Sequence, residues 1–250
     1  IFIEHFSVWA ASKQMLATNE YSSVKNICCL GAGYVGGPTC AVIADRCPNI
    51  VVNVVDLNAE RIKSWNKGPL PIHEPGLEEL ILKTRNRNLF FTTNIAQAIE
   101  EADIIFISVN TPTKMYGKGA GSAADLSSVE AAAKSILKYS KTSKIVVEKS
   151  TVPCGTAFAL SKIFQNRSDE SDITFEVISN PEFLAEGTAI DDLMNPDRVL
   201  IGGSMSHSGR MAQQLLADVY AQWVPIERIC LTNVWSSELA KLAANAMLAQ

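Results

Sequence analysis

The sequence predicts a doubly wound α/β fold, a mainly parallel sheet with helices on both faces, followed by the start of a long helix. Three observations predict it. From Lys25 onward, short apolar runs alternate with amphipathic stretches, the pattern of repeated β-α-β units. One run, Asp103-Ile-Ile-Phe-Ile-Ser-Val109, is continuously apolar at its centre, as a strand covered on both faces should be. A glycine-rich turn, Gly31-Ala-Gly-Tyr-Val-Gly36, stands between the first run and the helix after it.

Taken in order, Ile27–Leu30 reads as the first strand, Ile50–Val55 as the second and Leu89–Thr92 as the third. The 103–109 run is the fourth and Lys144–Val147 the fifth. Ile173–Ile178 alternates, with Ile173, Phe175 and Val177 set against Thr174 and Glu176, which predicts a strand covered on one face only. Arg198–Ile201 and Glu227–Leu231 complete the set. Asp125 is placed to cap a helix whose apolar positions Leu126, Val129, Ala133, Ile136 and Leu137 form one stripe. Before it, Asn110–Ala124 is a glycine-containing loop long enough to suggest function or flexibility. A last helix is expected from Trp235 to Gln250, without Gly, Pro or C-cap, as if cut.

Composition narrows the field. At 250 residues and 47% hydrophobic, the chain can bury a substantial core without disulfides or metals. A net charge of -4 argues against a nucleic-acid surface. No stretch approaches the ~18 apolar residues that a membrane span needs, so a soluble protein is expected. Cys28, Cys29, Cys40, Cys47, Cys154 and Cys230 form no C-x-x-C pair, and His5, His73 and His207 are scattered, so no metal site is expected. Cysteines in apolar segments fit small buried hydrophobes in a reducing cytoplasm. Ile1–Ala11 is mildly apolar, but Glu4 and His5 interrupt it and no basic stretch precedes it, unlike a secretory signal.

The turn Gly31–Gly36 has G-x-G-x-x-G spacing, follows a strand, opens a helix and is answered by Asp56 at the end of the next strand, twenty residues past Gly36. Together these make the dinucleotide fingerprint of a Rossmann fold. Gly31 permits the tight turn, Gly33 lets the backbone approach a pyrophosphate, and Gly36 lets helix and strand pack closely. Ala32, Tyr34 and Val35 complete the cradle, whose helix end presents free N–H groups and a positive dipole end to phosphates. The Asp56 carboxylate suits an unphosphorylated ribose and would repel the extra phosphate of NADP, so NAD is the expected cofactor. Arg61 is open to two readings, a cofactor contact or a solvated cation. Two loops at strand ends are further candidates for the cofactor crevice: Val109-Asn110-Thr111-Pro112-Thr113, and Glu148–Pro153 with Ser150 and Thr151.

Asn180–Gly187 places Glu182 and Glu186 near the same crevice, either as a general base working through water or as acids at a helix start. Lys241 and Asn245 stand four apart on the last helix, either on a solvated face or ready to stabilise a developing oxyanion.

These segments, with Glu74-Pro-Gly-Leu77, Lys149–Pro153, Asn195-Pro-Asp-Arg-Val199 and Lys241-Leu-Ala-Ala-Asn245, resemble the UDP-glucose/GDP-mannose dehydrogenase family, in particular the eukaryotic UDP-glucose 6-dehydrogenases. The resemblance covers Lys25 to Gln250. It implies NAD-dependent oxidation of the sugar C6 alcohol of UDP-glucose to the acid by two successive hydride transfers. An active-site cysteine would hold the sugar as a thiohemiacetal and then as a thioester, which water hydrolyses. It further implies that Thr151 and Glu182 position and activate that water. Lys241 and Asn245 would steady the C6 oxygen, and Glu182, Phe183, Leu184, Ala185 and Glu186 would line the substrate side. Cofactor contacts would come from Gly31–Gly36, Asp56, Arg61, Val109–Thr113, Ser150 and Glu186. UDP-glucose is then the small-molecule partner, and a homo-oligomer is expected for a full-length enzyme.

One departure stands out. The family's nucleophile lies in a Gly-Gly-Ser-Cys-type loop that these 250 residues do not contain. Cys40 belongs to the packing of the helix after the cradle, and Cys154 does not match the motif. Residues 1–24 are therefore read as an extension with no assigned role, 25–232 as the NAD-binding domain, and 233–250 as the start of a central helix, with the UDP-binding domain absent. The isolated chain is expected to be inactive. The alternatives are a truncated NAD-binding protein with a regulatory role and a UDP-N-acetylmannosamine dehydrogenase.

Overall fold

The structure, a computed structural model, describes residues 24–165 and 172–250. The expected extension 1–24 lies outside the described residues except for Val24. Eight strands form one sheet: β1 (Asn26–Leu30), β2 (Val51–Val55), β3 (Leu89–Thr92), β4 (Ile104–Ile107), β5 (Lys144–Glu148), β6 (Phe175–Ser179), β7 (Val199–Gly203) and β8 (Ile229–Asn233). Their order is β3-β2-β1-β4-β5-β6-β7-β8. The first six are parallel, with Ile27 opposite both Val52 and Ile104. β7 runs against β6 and meets it at one residue pair, Ser179 and Gly202, whereas β7 and β8 are parallel.

The apolar runs explain the winding. Successive side chains of a strand point to opposite faces, so Ile27 and Cys29 enter one core while Cys28 and Leu30 enter the other. Ile104 and Phe106 divide in the same way from Ile105 and Ile107, and all four are at most 1% exposed. The first face is covered by α1 (Gly36–Arg46), α3 (Leu77–Thr84), α7 (Ala189–Met194) and α8 (His207–Tyr220). On the second lie α4 (Ile95–Glu101), α5 (Ser127–Tyr139) and α6 (Thr156–Gln165), while α2 (Ala59–Asn66) flanks β3. Among the described residues, no helix is long and apolar enough to cross a membrane.

Several boundaries and one covering differ from expectation. The sixth strand begins at Phe175 and is buried along its second half, because α6 packs on one side and α8 on the other. Val177 and Ile178 thus enter different cores, and the apparent alternation begins in residues that precede the strand. Residues 226–228 form a 3-10 turn ahead of β8. Asp125 does not cap α5 from the adjoining position. It accepts the Ser127 amide at 2.9 Å and leaves Leu126 as the residue before the helix.

The last helix, α9, covers Val234–Leu248, starts on an Asn233 side-chain cap to Ser236, and ends two residues before Gln250. Ser237 donates to the Ser179 carbonyl at 3.1 Å, and a side chain at Gly202 would collide with Ser237, so α9 sits directly on the β6–β7 seam. The next residue, Glu238, accepts the Gly155 and Ala157 amides at 2.7 and 2.8 Å. The orphan N–H groups at the start of α6 are thereby satisfied from another helix.

Facing Glu238 is Glu148, 1% exposed, whose two carboxyl oxygens meet no N–H or hydroxyl donor. Burial, with the negative Glu238 beside it, pushes the Glu148 carboxyl well above the ordinary range, so it keeps its proton. An acid whose pKa is raised by folding destabilises the native state progressively as pH climbs from the ordinary glutamate range toward the raised value. Glu148→Gln is expected to flatten that slope. It should raise the melting temperature at pH 8 by roughly 2–6 °C and bring no gain at pH 4, read by calorimetric melts at both values.

Candidate active site

The crevice opens where the sheet order reverses, between the carboxyl ends of β1 and β4, the usual ligand position in such a sheet. Gly31, at φ 112°, has the Ser108 carbonyl where a Cβ would stand, and at Gly36 the Gly31 carbonyl occupies that place. Gly33 differs, because a Cβ there would meet only Asn110 Oδ1, at 3.9 Å. Two glycines of the cradle therefore serve packing, and the third leaves open the path to the backbone. Val35 stands at the start of α1, where the Gly37 amide already donates to the Gly33 carbonyl at 3.0 Å and Pro38 has no N–H, so amides for a ligand come from the turn ahead of the helix. Trp65, fully buried and stacked on Phe91 at 4.7 Å, donates Nε1–H to the Ala32 carbonyl at 3.0 Å and holds the turn from below.

Asp56 at the end of β2 is already organised. Its carboxylate accepts the Ala32 amide at 3.0 Å, the Asn58 amide at 2.9 Å and the Arg61 guanidinium at 2.9 Å. Burial pushes its pKa up, but the two amides and Arg61 outweigh burial and hold it below the ordinary range. Arg61 is thus not simply solvated; its Nη1 pairs with Asp56 while the side chain lines the cleft. Both line a cleft of about 350 Å³ with Gly31, Gly33, Leu57, Ile95, Val109 and Asn110, walled on one side by α5. Phosphate-facing amides, an acid for ribose hydroxyls and an apolar slot for a base fit a dinucleotide.

The expected strand-end loops divide. Val109 and Asn110 reach the cleft. Thr111 donates to the Thr151 carbonyl at 2.7 Å, Pro112 accepts the Asp125 amide, and Thr113 pairs with Ala124, closing the long loop on itself. Ser150 is buried and donates to the Val109 carbonyl at 2.7 Å, which ties the β5 loop to the β4 loop.

Beyond β6, Glu182 and Lys241 meet at 3.0 Å with both side chains largely shielded. The second Glu182 oxygen accepts the Leu184 amide at 2.7 Å. Phe183 lies between two cations, Arg198 at 4.8 Å and Lys241 at 5.5 Å from its ring centre. Asn245, one turn further along α9, is exposed, as are Ala185 and Glu186. Lys241 and Asn245 therefore differ in setting, one buried against an acid and one open.

Sequence reasoning missed three supports. Lys149 is buried behind Glu182 and bonds Asn180 Oδ1 at 3.1 Å, and burial pulls its ammonium down to about 8. Glu238 had a readable signal, an acid three residues before Lys241. Glu74 is the third; it accepts the Tyr34 hydroxyl at 2.8 Å and the Gly187 amide at 2.9 Å. Four of the six cysteines are buried, Cys40 fully so within the packing of α1, whereas Cys154 and Cys230 are exposed rather than packed.

Comparison with known proteins agrees with this architecture. UDP-glucose 6-dehydrogenase 1 of Glycine max is 61% identical over 224 residues, 90% of this chain and 46% of its own length. The UDP-glucose 6-dehydrogenase of Rattus norvegicus is 60% identical over 227 residues, with 91% and 46% covered. The chain spans about half the length of the curated relatives it matches. A UDP-glucose dehydrogenase structure from Pyrobaculum islandicum superposes with TM-score 0.78 at 32% identity, over 93% of this chain and 51% of that one. A UDP-D-ManNAc dehydrogenase from Pyrococcus horikoshii gives TM-score 0.77 at 26% identity, over 89% and 50%. Residues 25–224 match the NAD-binding domain of the UDP-glucose/GDP-mannose dehydrogenase family, and the chain belongs to that family.

Proposed function

We propose that this chain supplies the NAD site and part of the catalytic apparatus for oxidising UDP-glucose to UDP-glucuronate. The observation that carries the reading is the presence of two features at the carboxyl ends of the same parallel strands. A glycine cradle with its ribose acid lies at the β1–β4 switch, and a shielded Glu182–Lys241 pair lies beyond β6. The relatives near 60% identity favour UDP-glucose over the acetylmannosamine alternative, whose structural relative stands at 26%.

On this reading, bound NAD supplies a hydride acceptor at each of two steps, alcohol to aldehyde and aldehyde to acid. The cradle amides of residues 33–36 hold the pyrophosphate, those of Gly31 and Ala32 being engaged by the Val55 carbonyl and Asp56. Asp56 accepts the adenosine ribose hydroxyls, with Arg61 yielding its hydrogen bond or shifting along the carboxylate. Lys241, with Asn245, stabilises negative charge on the C6 oxygen as it develops. Glu182, with Thr151, orients and deprotonates water for hydrolysis, its charge kept in place by the Lys241 ammonium. Ser150 and Glu186 border the cofactor, and Phe183–Ala185 border the sugar nucleotide. The Gly-Gly-Ser-Cys nucleophile loop is not among these 250 residues.

Two expected outcomes test the reading. Calorimetry on the chain should detect NAD binding, and Asp56→Asn should weaken it about tenfold while erasing most of the preference over NADP, on the scale of one charge-assisted hydrogen bond. Unchanged affinity and preference in that variant would overturn the cofactor assignment. Given NAD and UDP-glucose, the same chain should bind NAD yet show no sustained rise in NADH absorbance. Steady two-step turnover would overturn the view that the nucleophile lies outside these residues.

A further inference from the structure

Glu74, in the loop before α3, is 6% exposed and has no part in the chemistry above. Its carboxylate gathers three donors from three places in the chain. Oε1 accepts the Tyr34 hydroxyl at 2.8 Å and the Gly187 amide at 2.9 Å, and Oε2 accepts the Ala189 amide at 3.2 Å. Ala189 opens α7, whose own preceding residue Thr188 gives no side-chain cap and bonds Asp192 instead. Glu74 therefore supplies that helix start from more than a hundred residues away.

Tyr34 is the middle residue of the phosphate cradle. Its hydroxyl also lies 3.0 Å from the Ala185 carbonyl, so its one proton is shared between Glu74 and Ala185. The consequence falls on Glu186. The carbonyl before it is held by Tyr34 and the amide after it by Glu74, while Gly187, at φ 89°, makes the left-handed bend between them. The Glu186 side chain is itself exposed and unanchored by α7. Its direction is set by the two flanking peptide units.

We propose that Glu74 is a positioning residue. Through Tyr34 it latches the phosphate cradle to the Ala185–Gly187 turn, so that filling the cradle and setting Glu186 are coupled. This rests on the NAD reading given above. A buried carboxylate satisfied by one hydroxyl and two amides is a stiff junction, because each lost partner leaves a desolvated charge short of donors. A ligand that orders residues 31–36 must then also order residues 185–189, and by linkage the reverse holds.

The 250-residue chain serves for the test. NAD affinity is measured by calorimetry for wild type, Tyr34→Phe, Glu74→Gln and the double variant, and amide exchange at Gly187 and Ala189 is followed with and without NAD. NAD is expected to slow exchange at both amides in wild type. Tyr34→Phe keeps the ring and removes only the hydroxyl. It should weaken NAD roughly five- to tenfold, abolish the exchange response, and leave the melting temperature of the NAD-free chain within a few degrees. Adding Glu74→Gln to Tyr34→Phe should weaken NAD little further, the mark of one shared interaction. If Tyr34→Phe leaves both affinity and exchange response as in wild type, or if the two losses simply add, the latch is overturned while the NAD reading stands. A wild-type chain that takes up no NAD overturns both.

Discussion

The close seating of α1 on β1 is the constraint on which the rest of the site depends. It exists because residues 31, 36 and 37 have no side chains. A Cβ at Gly36 would collide with the Gly31 carbonyl, one at Gly31 with the Ser108 carbonyl, and one at Gly37 with the Trp65 ring. The first would lift the helix from the strand, the second would part the turn from the end of β4, and the third would displace Trp65. The amide-bearing end of α1 would then leave the crevice, and the Ala32 peptide would lose Trp65 on its carbonyl and Asp56 on its amide. Backbone amides orient charge only when the backbone is fixed, so the cradle's electrostatics follow from its packing.

The second organising element is α9. Within two turns it touches β6 through Ser237, clamps the start of α6 through Glu238 and pairs with Glu182 through Lys241. The Thr151 loop, which leads into α6, and the Glu182 segment, which follows β6, are thus both referred to one rigid helix. The cost is the buried Glu148–Glu238 contact, tolerated because one of the two carboxyl groups keeps its proton. Three residues within five positions of one helix thus do different things at three neighbours.

Much of this was legible in the sequence, for identifiable reasons. The strands of the parallel sheet are continuous apolar runs, and the G-x-G-x-x-G turn with Asp56 twenty residues on is a local pattern with a local cause. Boundaries failed where context overruled periodicity. Ile173 and Thr174 mimic an alternating strand but lie ahead of it, and the coverage of β6 by two helices cannot be read from its own residues. The pairing of Arg61 with Asp56 needed the geometry of α2, which carries the guanidinium back over the strand end. What Glu74 and Glu238 hold was hidden for a deeper reason. Each acts on amides more than eighty residues distant in sequence, and no spacing rule reports contacts of that range.

The meeting of β6 and β7 deserves a different description from the rest of the sheet. With one backbone pair joining them, cohesion across that line passes to a side-chain amide. Asn180 Nδ2 donates across it to the Leu200 carbonyl at 2.8 Å, while Gln213 Nε2, from α8, ties β7 to β8 through the carbonyls of Ile201 and Thr232 at 2.9 and 2.8 Å. Backbone ladders tolerate almost any residue, whereas this join is spelled out in particular amino acids. Glu182 lies just beyond β6 and Lys241 is carried on α9, so the fidelity of their encounter is inherited from the Asn180 join and from the Ser237 bond to Ser179.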